Sequence, residues 1–339
     1  MSASSHEDSE EIEVKKKKRK NLFDILYNMN SGKEITEDDR KAPRNFTFFF
    51  KLAWRNFTRL FYANILFLLA NFPIILIALF PARVFHTQAL SPSSPLALPF
   101  LGVAEFGVTS PALASITGVF GNLSHVFIPT TLSWVILIIG VLLLLFTFGP
   151  VSVGIVYNLR NIVRGEPVFF LRDFWYAIKK NIRQGIIIGI VDLLLCALLV
   201  YDLIFFYARL GSSFANAMMF WATVFMILIY FTMRFYIYLL TVTFDLKIIH
   251  IFKNALIFAF LGFKRNFLAT LGIIAVIFIN FYLMVIYLPI GIVLPLIISI
   301  GLCMFMATYA AWPKIKEIMI DAYEQEDEYG EYDDSDDEE

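Results

Sequence analysis

Asp192 stands in the apolar run "GIVDLLLC", nine residues beyond Arg183. At 1.5 Å per helical residue this is about 13 Å into a hydrophobic segment, a depth at which an ionisable group is costly and marks a functional site by default. Asn71 in "LLANFPII" and Asn280 in "IFINFYLM" each follow a basic turn by about fourteen residues. Three polar groups at similar depth are expected to line a small central cavity. The plainer alternative is a protonated Asp192 making one interhelical hydrogen bond, worth about 0.6 kcal/mol. Asp202 and Arg209 are expected near the outer surface, and Arg234 and Asp245 near the inner one, with long side chains snorkelling to the headgroups.

Other chemistry has little to stand on. The chain contains no G-x-x-x-x-G-K-[ST] loop, no H-E-x-x-H and no G-x-S-x-G. His6, His86, His125 and His250 are scattered. His86 and His125 share one loop and could meet, but no third ligand accompanies them. Cys196 and Cys303 fall inside apolar runs, with neither a disulfide framework nor a metal-ligand spacing. No catalytic, cofactor-binding or metal-binding residue emerges, and the expectation is a protein that is not an enzyme, needs no cofactor and has no nucleic-acid partner.

The elements that must position these residues are membrane spans. The 339 residues are 58% hydrophobic and 17% charged, against about 25% charged in a soluble domain. Apolar runs long enough to cross a hydrocarbon core of roughly 30 Å recur. The expected fold is an all-α polytopic membrane protein with six transmembrane helices near 60–82, 130–156, 184–208, 214–240, 267–288 and 290–311, carrying amphipathic cytoplasmic helices. Residues 45–316 form this membrane domain. Residues 1–44, with "KKKKRK", have too few apolar groups to order themselves, although "NLFDILYNM" suits a short surface helix; no cleavable signal peptide is visible. Residues 317–339 read as an acidic disordered cytoplasmic tail. Twelve of the 29 acids lie within residues 321–339, so residues 1–320 carry 28 bases against 17 acids, a net charge of +11.

Lys and Arg set the orientation. Lys51, Arg55 and Arg59 precede the first span, Arg160 to Arg183 separate spans two and three, Lys247 to Arg265 separate four and five, and Lys314 and Lys316 follow the last. The other side holds only Arg83 and Arg209. Both termini are therefore expected in the cytoplasm. The outer loop 83–128 is too apolar to be fully solvated and is expected to lie as short interfacial helices or to dip back against the bundle. Asn122 heads a glycosylation sequon, meaningful only in a eukaryotic host.

Three stretches resemble one another: "FKLAWRNFTRLFYANILFLL", "WYAIKKNIRQGIIIGIVDLL" and "FLGFKRNFLATLGIIAVIFI". Each has an aromatic residue and, six positions on, an Asn preceded by a base: Arg55-Asn56, Lys180-Asn181 and Arg265-Asn266. Three repeated helical hairpins would explain this; so would the ordinary need for bases and aromatics wherever a helix meets the cytoplasmic interface. The amphipathic segment "VFFLRDFWYAIKKNIRQ" suits anchoring on anionic lipid or docking of a partner. In "FTFGPVSVGIVYNLRNIVRGE", Pro150 lacks an N–H, so a kinked span is expected to lead into a basic elbow with Arg160 and Arg164 at the headgroup layer.

The stretch 146–184 resembles the YesL-like family of bacterial membrane proteins, a family whose domain has no known function. Gly149, Pro150, Tyr157, Arg160, Arg164, Gly165, Glu166, Arg172, Asp173, Phe174, Trp175, Asn181 and Gln184 carry the resemblance. It implies a plasma-membrane protein of a Gram-positive bacterium with an accessory or regulatory role in carbohydrate transport beside an ABC transporter permease. It brings no activity and no site residues. Gly149, Pro150, Tyr157, Arg160, Arg164, Arg172, Trp175 and Asn181 are the candidate hinge or docking corner. The alternative is an autonomous small-solute transporter, or a substrate-binding membrane subunit, with its central polar site around Asp192.

Overall fold

The computed structural model describes residues 45–92, 111 and 123–321. The N-terminal segment 1–44, the middle of the outer loop with the Asn122 sequon, and the tail beyond residue 321 lie outside the described residues. The helices are α1 Phe46–Arg55, α2 Phe57–Ala70, α3 Pro73–Ala78, α4 Thr131–Arg164, α5 Phe170–Tyr207, α6 Phe214–Thr243, α7 Ile248–Leu261, α8 Phe263–Ile286 and α9 Leu288–Ile320. Two π-helical turns, Pro295–Ser299 and Lys316–Ile320, interrupt α9. Residues 317–320, assigned from sequence to the acidic tail, are therefore helical.

Five of these helices, α4, α5, α6, α8 and α9, are long and apolar enough to cross a membrane. This is an all-α polytopic membrane protein, but six uninterrupted spans are not what forms. The segment expected at 60–82 is divided: α2 ends at its C-cap Asn71 and α3 restarts with Pro73 in its first turn. Proline has no N–H to continue the ladder of α2 and suits a helix start. The 14 residues of α2 span about 21 Å, short of a hydrocarbon core of roughly 30 Å.

The chain divides into two units, Met1–Asn71 with Leu145–Glu339, and Phe72–Leu144. In the first, the core is centred on the second half of α4. Val153, Ile155, Leu159, Ile162 and Val163 are all fully buried, and Gly149 to Val163 is buried on nearly every side. Gly149 is essential to this. A Cβ there would collide with the carbonyl of Gly185 and the backbone of Gly189, so α4 and α5 approach backbone to backbone as small residues allow. The Gly149-Pro150 pair lies within a continuous helix and serves as a crossing point. The helix stops where Gly165 takes φ 80°, a left-handed conformation natural to glycine. There Gly165 N donates to Ile162 O (3.2 Å) and Glu166 N to Asn161 O (2.9 Å).

A break recurs at three places. Between α1 and α2, Asn56 has φ −105°, ψ 20°; within α5, Asn181 has φ −115°, ψ 20°; between α7 and α8, Gly262 has φ −87°, ψ 13°. At each, the carbonyl four residues earlier accepts an Asn amide: Leu52 O from Asn56 (2.9 Å), Ala177 O from Asn181 (3.1 Å) and Phe258 O from Asn266 (3.5 Å). Asn266 bonds Ala259 O more closely, at 3.0 Å. Leu52 O and Phe258 O also accept the backbone N–H at the break itself, from Asn56 N (3.0 Å) and Gly262 N (2.9 Å), so there the asparagine amide adds a second bond to a carbonyl that is already paired. The three sequence stretches thus share a structural device, displaced by one turn in the third.

In the second unit, the described ends of the outer loop form an antiparallel ribbon rather than interfacial helices: β1 His86–Pro92 pairs with β2 Leu123–Pro129, from His86 opposite Pro129 to Pro92 opposite Leu123. His125 stands opposite Leu90, four residues along the ladder from His86, which separates the two backbone positions by roughly 13 Å at the strand rise. Thr130 and Ser133 both donate to Phe85 O at 2.6 Å, tying the ribbon to the start of α4.

Candidate functional site

Asp192 is fully buried, and its carboxylate is surrounded. Tyr230 donates to Oδ1 at 2.8 Å and Tyr238 to Oδ2 at 2.6 Å. Arg234 Nε lies 2.9 Å from Oδ1 and 3.2 Å from Oδ2. Cys196 Sγ, one turn along α5, approaches Oδ1 at 3.7 Å. A buried carboxylate is tolerable when paired and fully hydrogen-bonded, and both conditions hold here. Arg234 is thus a correction to the sequence expectation: it sits at the depth of Asp192, nine residues from the end of α6, and does not reach for the headgroups. It had a signal. Tyr230, Arg234 and Tyr238 are each four apart, which places them on one helix face.

Asn71 and Asn280 do not join Asp192; no hydrogen bond links the three among the described residues. Asn71 Oδ1 accepts from Thr147 at 3.4 Å, while its buried Nδ2 has no partner. Asn280 exchanges hydrogen bonds with Ser299 (2.9 and 3.2 Å) and donates to Val276 O. A third polar group, Asn64, had no sequence signal. It donates to Pro295 O (3.0 Å) and Leu296 O (2.6 Å) and accepts from Gly301 N (2.9 Å), supplying backbone partners at the π-helical turn of α9. Depth along a helix was legible; the direction each side chain faces was not.

Beside the ion pair lies a cavity of about 240 Å³. Arg234 and Tyr238 form its polar wall, with Ser152 and Thr308; Phe67, Phe148 and Phe231 contribute aromatic surface. The Arg234 side chain is 32% exposed and lies 5.9 Å from the Phe148 ring centroid, within cation–π range. Only its Nε is committed to Asp192. Its two Nη groups have no protein hydrogen-bond partner among the described residues. The arrangement can offer N–H donors to an oxygen-bearing solute while Asp192 holds the guanidinium in place.

The candidate corner on α4 and α5 is closely packed. Arg160 is 6% exposed, packed inside the protein. It donates to Val242 O (2.6 Å), Thr243 Oγ1 (3.4 Å) and Asn161 Oδ1 (3.1 Å), and its guanidinium lies 4.5 Å from the Tyr157 ring. Arg160 therefore caps the carbonyl end of α6, where the helix dipole favours a cation. Arg164 pairs with Glu166 at 2.8 Å and stands 5.2 Å from the Trp312 ring. Arg172 lies 5.9 Å from the Phe169 ring. Tyr157 meets the Tyr176 ring at 6.0 Å, and Trp175 packs on Phe174 while staying 56% exposed. Asn158 donates to Phe170 O at 2.9 Å, fixing the turn between α4 and α5.

A family model described as a protein of unknown function, DUF624, matches residues 127–203. No curated protein and no solved structure matches the chain. The matched stretch runs from β2 through α4 and most of α5, so it contains Asp192, the Gly149 crossing, the capped Arg160 and the Asn181 break. The YesL-like family is itself a DUF624 family, so the match over residues 127–203 agrees with the resemblance that residues 146–184 of this membrane protein carry.

Proposed function

We propose that the chain is a non-enzymatic membrane subunit that binds a small polar solute in the cavity beside Arg234 and serves carbohydrate uptake. The observation that carries this reading is the pair of uncommitted Nη groups on the wall of that cavity, held there by a buried carboxylate. Ligand pockets of drug-sized molecules run to roughly 300–1,000 Å³, so this smaller cavity suits a small solute. Sugar hydroxyls accept from a guanidinium, and aromatic rings suit the apolar faces of a sugar ring. The carbohydrate class comes from the resemblance to the YesL-like family alone, as does placement in a plasma membrane beside an ABC-type permease. The distribution of Lys and Arg supports both termini on the cytoplasmic side.

The test is calorimetric titration of the purified chain in nanodiscs with a panel of mono- and disaccharides. Arg234→Lys preserves the charge opposite Asp192 but removes the planar fork, and binding is expected to weaken at least tenfold. Absence of binding by every sugar, or equal binding by the variant, removes the solute site. A second reading then remains: a purely accessory or regulatory subunit whose α4–α5 corner docks a permease. It predicts co-purification with a permease in mild detergent, and isolation as a lone species under gentle crosslinking counts against it.

A further inference from the structure

A second concavity, of about 430 Å³, opens between the basic stretch of α5 around its Asn181 break and the end of α6. Its walls come from residues 179–184, around the Asn181 break, and 241–245, where α6 ends. Lys179, Lys180 and Arg183 line it, against one acid, Asp245. None of the three bases is paired with an acid among the described residues. Three exposed cations around one concave surface leave several N–H donors facing the same space.

The surroundings fix the cleft before any anion arrives. Asn181 Nδ2 holds the break by its bond to Ala177 O (3.1 Å), and Gln184 Nε2 ties α5 to the strand of chain after α6 through Leu246 O (3.0 Å). The carbonyl end of α6 would ordinarily present partial negative charge here. Arg160 neutralises it at Val242 O and Thr243 Oγ1, so the helix end does not oppose an incoming anion. Basic pockets between transmembrane helices suit phosphorylated headgroups, and a compact oxyanion accepts charge-assisted hydrogen bonds from Lys and Arg together.

We propose that this cleft is a phosphate-binding site. The phosphate comes either from an anionic phospholipid of the adjoining leaflet or from a soluble phosphate. The experiment uses the full chain in two arms. In the first, native mass spectrometry compares retention of phosphatidylglycerol and phosphatidylcholine. In the second, inorganic phosphate is titrated calorimetrically into the chain in phosphatidylcholine nanodiscs. Preferential retention of phosphatidylglycerol assigns a lipid headgroup; saturable heat with inorganic phosphate assigns a soluble source. The combined variant Lys179→Gln, Lys180→Gln, Arg183→Gln is expected to lose at least tenfold in whichever arm binds, since each base near an anionic surface is worth about a fivefold factor. Asp245→Asn, which removes the opposing acid and leaves the three bases, is expected to tighten binding several-fold. Neither lipid preference nor phosphate binding by the unaltered chain overturns the proposal, and so does equal binding by the chain and the triple variant.

Discussion

Arg160 packs against the end of α6 and Arg234 stands on α6 itself, and the two are stabilised in opposite ways. Arg234 faces a full negative charge, with Nε 2.9 Å from Asp192 and two tyrosines completing the carboxylate's shell. Arg160 forms no ion pair among the described residues; it rests on a backbone carbonyl, a threonine, an asparagine and a tyrosine ring. The carbonyl dipoles at a helix end are permanent and cannot titrate. A carboxylate can be removed or protonated, and its loss leaves a cation stranded. The corner at Arg160 is therefore a rigid fixture, whereas the charge balance at Asp192 is conditional on one side chain.

The largest effect that would sharpen this contrast is expected from Asp192→Leu, which leaves the partly buried Arg234 without its counter-charge. Breaking one side of a buried pair costs about 3–5 kcal/mol, read as a lower unfolding midpoint in detergent. Asp192→Leu with Arg234→Leu should recover most of that loss, because an apolar pair of similar volume is tolerated. Equal stability of the single and double variants would break the comparison. A smaller loss, about 1.5–3 kcal/mol, is expected from Arg160→Gln, set by hydrogen bonds from a charged donor. Removing an acid elsewhere should not rescue it. The smallest effect belongs to Glu166→Gln. Both side chains of the Arg164–Glu166 pair are more than a third exposed, so the change should be under about 1 kcal/mol and should vanish in high salt.

Much of the fold was legible because hydrophobic length is a one-dimensional property. Residues 130–156, 184–208, 214–240, 267–288 and 290–311 each fall on a long helix to within a residue or two. The first span was misread although its signal was present: Asn71-Phe72-Pro73 combines a C-cap with a proline helix start. Gly185 and Gly189, four apart, likewise announce the close crossing with Gly149, which the sequence reading took for a break at Pro150. At the site, Asp192 was singled out correctly as a costly buried group, but its partners were sought at equal depth without regard to direction. Polar contacts between helices depend on rotation about each axis, and only the Tyr230, Arg234, Tyr238 spacing encodes that rotation. Asn64 could not have been found this way, since its partners are backbone atoms freed by a π-helical turn 231 residues away.

The short turn at residues 208–213 has a consequence for how the chain enters a membrane. α5 carries Asp192 and, in order of synthesis, emerges first; its counter-charge follows on α6, immediately after Ser213 caps the new helix. A lone carboxylate at mid-depth opposes insertion by about 2.5–3.5 kcal/mol. Delivered as a hairpin, the two helices bring acid and base in together and the opposition largely cancels. A chain that terminates after Tyr207 would instead present an acid with nothing to answer it.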